Sequence, residues 1–202
     1  MENTSLPKKI RSTTFVEVLL GAVLSIPILL SVPSGSYSKE VTLEPIIEGK
    51  SIAGLKIGDT EDKVISIISK GSFKLYHVDS DPEPDEKFIT IGNMTERGGL
   101  GITAFLRDGR VFAIQVVSAP IKGAHPYKGK TKKGFSFGDT YQKVEKLYGK
   151  PQNTMAGIHL YNKEGIAFAI LSAGDEVDKE RPNMVFIMPP GSDIDLNRIF
   201  QR

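Results

Sequence analysis

Three features of the sequence predict an α+β protein of two tandem repeats, each a helix packed on a three- to four-stranded antiparallel sheet. GLKIGDTEDKV at residues 54–64 recurs as GFSFGDTYQKV at residues 134–144, 80 positions later. Each copy leads into apolar residues at helical spacing that stop at a glycine. Each of those stretches is followed by runs of alternating polarity separated by turn residues, the pattern of antiparallel strands.

Taken in order, residues 1–38 form a leader. Lys8, Lys9 and Arg11 precede the 15-residue apolar run VLLGAVLSIPILLSV at 18–32. That length suits a signal peptide's apolar region and falls short of the roughly 20 residues that cross a bilayer as a helix. The leader therefore reads as a cleaved signal peptide, with an uncleaved anchor over residues 15–33 as the alternative. Either way the remainder is expected outside the cytoplasm, periplasmic or secreted, or held at the inner membrane.

The first repeat is expected over residues 39–122 and the second over residues 123–202. In the shared Gly-Asp-Thr, Asp59 and Asp139 are suited to cap a helix, with Asp62 and Gln142 as capping-box partners three residues on. Val64, Ile67 and Ile68, and then Val144, Leu147 and Tyr148, make one apolar stripe in each copy. Gly71 ends the first helix, and Gly149 with Pro151 behind it ends the second. Strands follow at 73–78, 87–94, 101–106 and 111–118, with Arg107-Asp108-Gly109-Arg110 as a hairpin turn. The second copy offers strands at 157–161, 166–171 and 183–190, with a turn at 162–165.

A single helix covers only one face of such a sheet. Period two places Ile102, Ala104, Leu106, Ile166, Phe168 and Ile170 toward the helices. Thr103, Phe105, Arg107, Gln115, His159 and Tyr161 then point the other way. Aromatic residues beside hydrogen-bonding groups on an open sheet suit contact with another protein.

Composition narrows the chemistry. The chain has no cysteine, which removes disulfides, thiol catalysis, cysteine metal sites and acylation at an N-terminal cysteine. It carries 26 basic and 24 acidic residues, and removing the leader's three and two leaves 23 and 22. So even a balance gives no general attraction to nucleic acid.

Gly49-Lys50-Ser51 and Gly129-Lys130-Thr131 resemble the end of a phosphate-binding loop, but the first glycine of that loop is missing from both, and they read as turns. The run DSDPEPDE at 79–86 lacks the glycine and distal glutamate of a calcium loop and reads as a solvated connection. DEVD at 175–178 reads as a turn. His77, His125 and His159 are scattered outside any metal-ligand spacing, and no serine stands in Gly-x-Ser-x-Gly. No catalytic residue, cofactor site or metal site is expected.

The pattern Gly-[Leu/Phe]-x-[Ile/Phe]-Gly-Asp-Thr-x-x-x-Val, followed by a glycine-ended helix and Gly-Ile and Val-Phe-x-Ile strands, is similar to the SmpA/OmlA-type outer-membrane assembly lipoproteins. It also resembles the tandem domains of beta-lactamase inhibitor protein-like chains. The resemblance implies a non-enzymatic envelope or secreted protein that works by binding another protein. The expected contact residues are Phe105, Arg107, His159 and Tyr161. The alternative is an anionic envelope lipid or polymer held by Lys128, Lys130, Lys132 and Lys133 between the repeats.

Overall fold

The computed structural model describes residues 44–70, 74–80, 86–92, 94, 98–155, 157–171, 180–192, 194 and 199. The leader, residues 81–85 of the acidic run and the DEVD turn lie outside the described residues. The elements in chain order are β1 (Ser51–Ile52), β2 (Leu55–Lys56), α1 (Glu61–Lys70), β3 (Lys74–Ser80), β4 (Glu86–Gly92), β5 (Gly99–Arg107) and β6 (Arg110–Ala119). Then come α2 (Tyr141–Tyr148), β7 (Asn153–Met155), β8 (Ile158–Tyr161), β9 (Ile166–Ala169) and β10 (Met184–Ile187). None of the described helices is long and apolar enough to cross a membrane.

The repeated motif builds the two helix starts in the same way. Gly58 and Gly138 sit at φ +87° and +95°, a conformation that glycine adopts without a Cβ penalty. The aspartates do not cap the helices, as the sequence suggested. Asp59 accepts from Lys56 N–H at 2.9 Å and Asp139 from Ser136 N–H at 2.8 Å, so each closes the turn before its helix. The capping falls to the next residue, where the Thr60 and Thr140 hydroxyls accept from Lys63 and Lys143 N–H at 3.4 and 3.3 Å. Gly149 then ends α2 as expected. The upstream Gly-Lys pairs are explained by crowding: a Cβ at Gly49 would run into Pro190 at 2.7 Å, and one at Gly129 into the Glu44 carbonyl at 1.8 Å.

The expected pair of helix-on-sheet repeats is not what forms. The strands make one continuous eight-stranded antiparallel sheet in the order β3-β4-β5-β6-β10-β9-β8-β7, beside the small β1-β2 hairpin. The join is β6 against β10, with Val117 opposite Met184 and Gln115 opposite Phe186. Left apart, those two strands would each present unpaired N–H and C=O groups, and pairing them removes both edges.

One hydrophobic cluster runs under both helices. Val64 of α1 and Val144 of α2 join Ile102, Ala104, Leu106, Ile166, Phe168, Val185 and Ile187 of the sheet. Tyr127, Phe135 and Phe137 of the β6–α2 connection complete it, with Phe135 and Phe168 ring centroids 4.7 Å apart. Burying each such large side chain contributes roughly 1.5–3 kcal/mol.

The alternation expected of β5 and β9 holds, but that of β8 is inverted. Tyr161 stands opposite Ile166 and His159 opposite Phe168, so both side chains face the helices with their cross-strand partners. Because side chains alternate with period two, a slip of one residue moves a whole strand's set to the other face. Tyr161 is fully buried in the helix-side cluster, and His159 stacks on Tyr141 of α2 at 4.0 Å.

Candidate functional site

The face of the sheet turned away from the helices is built by register. One cross-strand row runs Thr90, Thr103, Gln115, Phe186, Ala167 and Leu160 through six adjacent strands. Its first three members are polar and half-buried. The Thr90 and Thr103 hydroxyls lie 3.0 Å apart, and the Gln115 amide reaches Met184 Sδ at 3.1 Å. A parallel row sets Phe88 against Phe105 and Phe105 against Ala113. Small residues, Ala113, Ala167 and Ala169, alternate with the large ones, and the centre of this face, which we call the trough face, is buried with Phe186, while Phe88, Phe112 and Leu160 stay half-buried at its margin.

A β-bulge widens the aromatic flank. Phe105 pairs with Ala113 and Leu106 with Val111, which leaves Phe112 as the extra residue. Phe112 therefore joins Ala113 on this face instead of alternating away from it. Phe105 lies 6.4 Å from both the Phe88 and the Phe112 ring centroids. The Arg107 guanidinium sits 4.5 Å over Phe112 and donates from Nε and Nη2 to Glu86 Oε1 at 3.0 and 2.7 Å. That pair is half exposed on its arginine side, so it fixes the position of a cation at the rim more than it stabilises the fold. At the C-terminal end of the chain, Ile194 and Ile199 pack against this second cluster.

The expected contact residues are divided between the two faces. Phe105 and Arg107 lie on the trough face. His159 and Tyr161 lie on the helix face, where burial pushes the His159 imidazole below 6.5 and the Tyr161 phenol up to about 12. Lys128, Lys130 and Lys132 are exposed along the β6–α2 connection, whose Tyr127, Phe135 and Phe137 belong to the helix-side cluster. Lys133 is engaged within the chain, 3.5 Å from Glu164 Oε1 and 4.5 Å over the Tyr148 ring.

Phe88, Thr90 and Phe112 were missed. The first two lie in an alternating run that could have been phased, whereas a bulge erases the period that would have revealed Phe112. Among the described residues no group of three or more His, Asp or Glu could hold a metal ion. No family model matches the chain, and neither a curated protein nor a solved structure matches it.

Proposed function

We propose that this chain is a non-enzymatic, exported protein-binding or envelope-assembly module whose docking surface is the trough face of the sheet. The observation that carries this reading is the rim of Phe88, Phe105 and Phe112 with Arg107 fixed above it, beside the half-buried polar row Thr90, Thr103 and Gln115. Rigid aromatic anchors with an arginine and a few hydrogen-bonding groups are the components that dominate protein interfaces. The basic residues and apolar run of the leader support an exported address.

A second reading rests on Lys128, Lys130 and Lys132, exposed together on the opposite side, which suit an anionic envelope lipid or polymer. Capture from an envelope extract separates the two. The full-length protein and its Phe112→Asp and Lys128→Ala/Lys130→Ala/Lys132→Ala variants are compared at low and high salt. Retention of one protein, lost with Phe112→Asp and insensitive to the lysine changes, is the expected result. Retention only of anionic lipid or polymer, lost in salt and with the lysine variant, favours the second reading.

A further inference from the structure

The start of α2 differs from the start of α1 in the charges around it. An arginine closes both: Arg110 donates from Nη1 to the Gly58 carbonyl at 3.1 Å, and Arg181 donates from Nη1 to the Gly138 carbonyl. That contact belongs to the turn. The offset of 80 sets Pro45 and Glu48 in the first copy where the second has His125 and Lys128, so this added basic pair is not needed to build a helix start.

Pairing at the end of the sheet brings these residues together. Ser118 N–H donates to the Asn183 carbonyl at 2.8 Å, and His125 Nδ1–H donates to the Ser118 carbonyl at 2.5 Å, which sets the imidazole beside the chain that enters β10 through Arg181. The ring rests on Phe137, and its Nε2 lies 3.5 Å from where a Cβ on Gly138 would stand. His125 and Arg181 therefore flank one residue. Burial is the main cause that lowers the His125 pKa, and against the Ser118 bond that raises it the charges of Lys128 and Arg181 lower it further, so both cations act on the ring. Lys128 and Arg181 are exposed, and a ligand reaches them directly from solvent. Of the nearby acids, Asp139 is already engaged, with one carboxylate oxygen on Ser136 N–H at 2.8 Å and the other on the Lys143 ammonium at 2.9 Å. Glu180, next to Arg181, is the acid that an incoming anion competes with. Because Nδ1 carries the proton that Ser118 accepts, Nε2 of the neutral imidazole becomes a donor only when the ring charges. An anion beside Lys128 and Arg181 offsets their repulsion of that charge. A phosphate group has oxygens enough to accept from Nε2–H and from the Lys128 ammonium together.

We propose that His125, Lys128 and Arg181 bind a phosphate oxyanion, as the free ion or as a phosphate monoester headgroup, and that His125 takes up a proton from solvent at Nε2 as the anion docks. The site shares Lys128 with the lysine surface considered above but is centred on His125 and Gly138, and it does not depend on the trough face being a docking surface.

The test follows the His125 ring signals of the full-length protein by NMR between about pH 5 and pH 8, in sodium chloride, inorganic phosphate or glycerol phosphate at one ionic strength. Phosphate is expected to move the His125 midpoint upward saturably and to bind more tightly at the acid end of that range, because binding takes up a proton. Lys128→Ala and His125→Gln each weaken binding by about tenfold, the order of one hydrogen bond to a charged group, whereas Lys130→Ala/Lys132→Ala leaves it unchanged. Lys128→Ala changes an exposed side chain, and an unaltered melting temperature shows that its lost binding is not lost folding. Tighter binding of glycerol phosphate assigns the site to a headgroup, and tighter binding of inorganic phosphate to the free ion. No saturable shift at millimolar phosphate overturns the site, as does a shift that chloride reproduces. Equal weakening by Lys130→Ala/Lys132→Ala overturns it in favour of a diffuse lysine surface. No partner protein enters the measurement, so these outcomes leave the trough-face reading to its own test.

Discussion

On the helix-covered face, Ile102, Phe168, Val185 and Ile187 are fully excluded from solvent beneath two helices and an aromatic connection. On the opposite face Phe88 and Phe112 remain half-buried beside a buried Phe105 and Phe186. Both faces belong to the same strands, so strand formation does not explain the difference. Side-chain content does. The covered face holds bulky β-branched and aromatic groups that interlock, as a close-packed interior requires. The other alternates alanines with phenylalanines and is closed at its centre, but its β4–β6 margin mixes half-buried Phe88 and Phe112 with Thr90, Thr103 and Gln115, which leaves that margin in reach of a second surface.

If that contrast is right, mutations should divide by face. Phe168→Ala is expected to cost about 3–5 kcal/mol, measured by denaturant unfolding, because its ring meets Phe135, Tyr148 and Tyr161 and the cavity cannot collapse. Phe112→Ala should cost about 1 kcal/mol or less, and equal losses at the two positions would erase the contrast. Thr140→Ala should remove about 1 kcal/mol through the α2 cap, and circular dichroism should show the loss at the helix while the sheet signal holds.

A milder effect is expected with pH. His125 stacks on Phe137 at 6.0 Å, and Nδ1–H donates to the Ser118 carbonyl. Burial lowers its pKa below 6.5, with Lys128 and Arg181 adding to the shift, against the Ser118 bond that raises it. The unfolded chain therefore takes up the proton first. Stability is full above about pH 6.5 and declines as pH falls toward the folded value. The unfolding midpoint should drop between about pH 7 and pH 5, with the half-buried His159 adding to the fall, and His125→Gln should remove part of that drop. The smallest change is expected for Arg107→Ala, within about 1 kcal/mol since the pair with Glu86 is exposed on the arginine side, although it should weaken partner capture.

What could be read from the sequence was local. Gly58-Asp59-Thr60 and Gly138-Asp139-Thr140 announce helices because a turn and a cap are short-range events, even though the caps are Thr60 and Thr140 and not the expected Asp59 and Asp139. The hairpin at Asp108-Gly109 was legible for the same reason. Phe105 and Arg107 followed from the phase of a long strand. The β6–β10 pairing leaves no local mark, since residues far apart in sequence meet only when both halves of the sheet have formed. β8 is four residues long, too short to fix its own phase, and so His159 and Tyr161 were assigned to the wrong face.

The claim that the trough face is the working surface is tested most directly by site-specific photo-crosslinking in envelope preparations. Benzoylphenylalanine replaces Phe112 in one full-length protein and Lys130 in another. The account predicts a discrete protein adduct from position 112 and none from position 130. An adduct from position 130 alone, with position 112 unreactive in a stably folded protein, would contradict it.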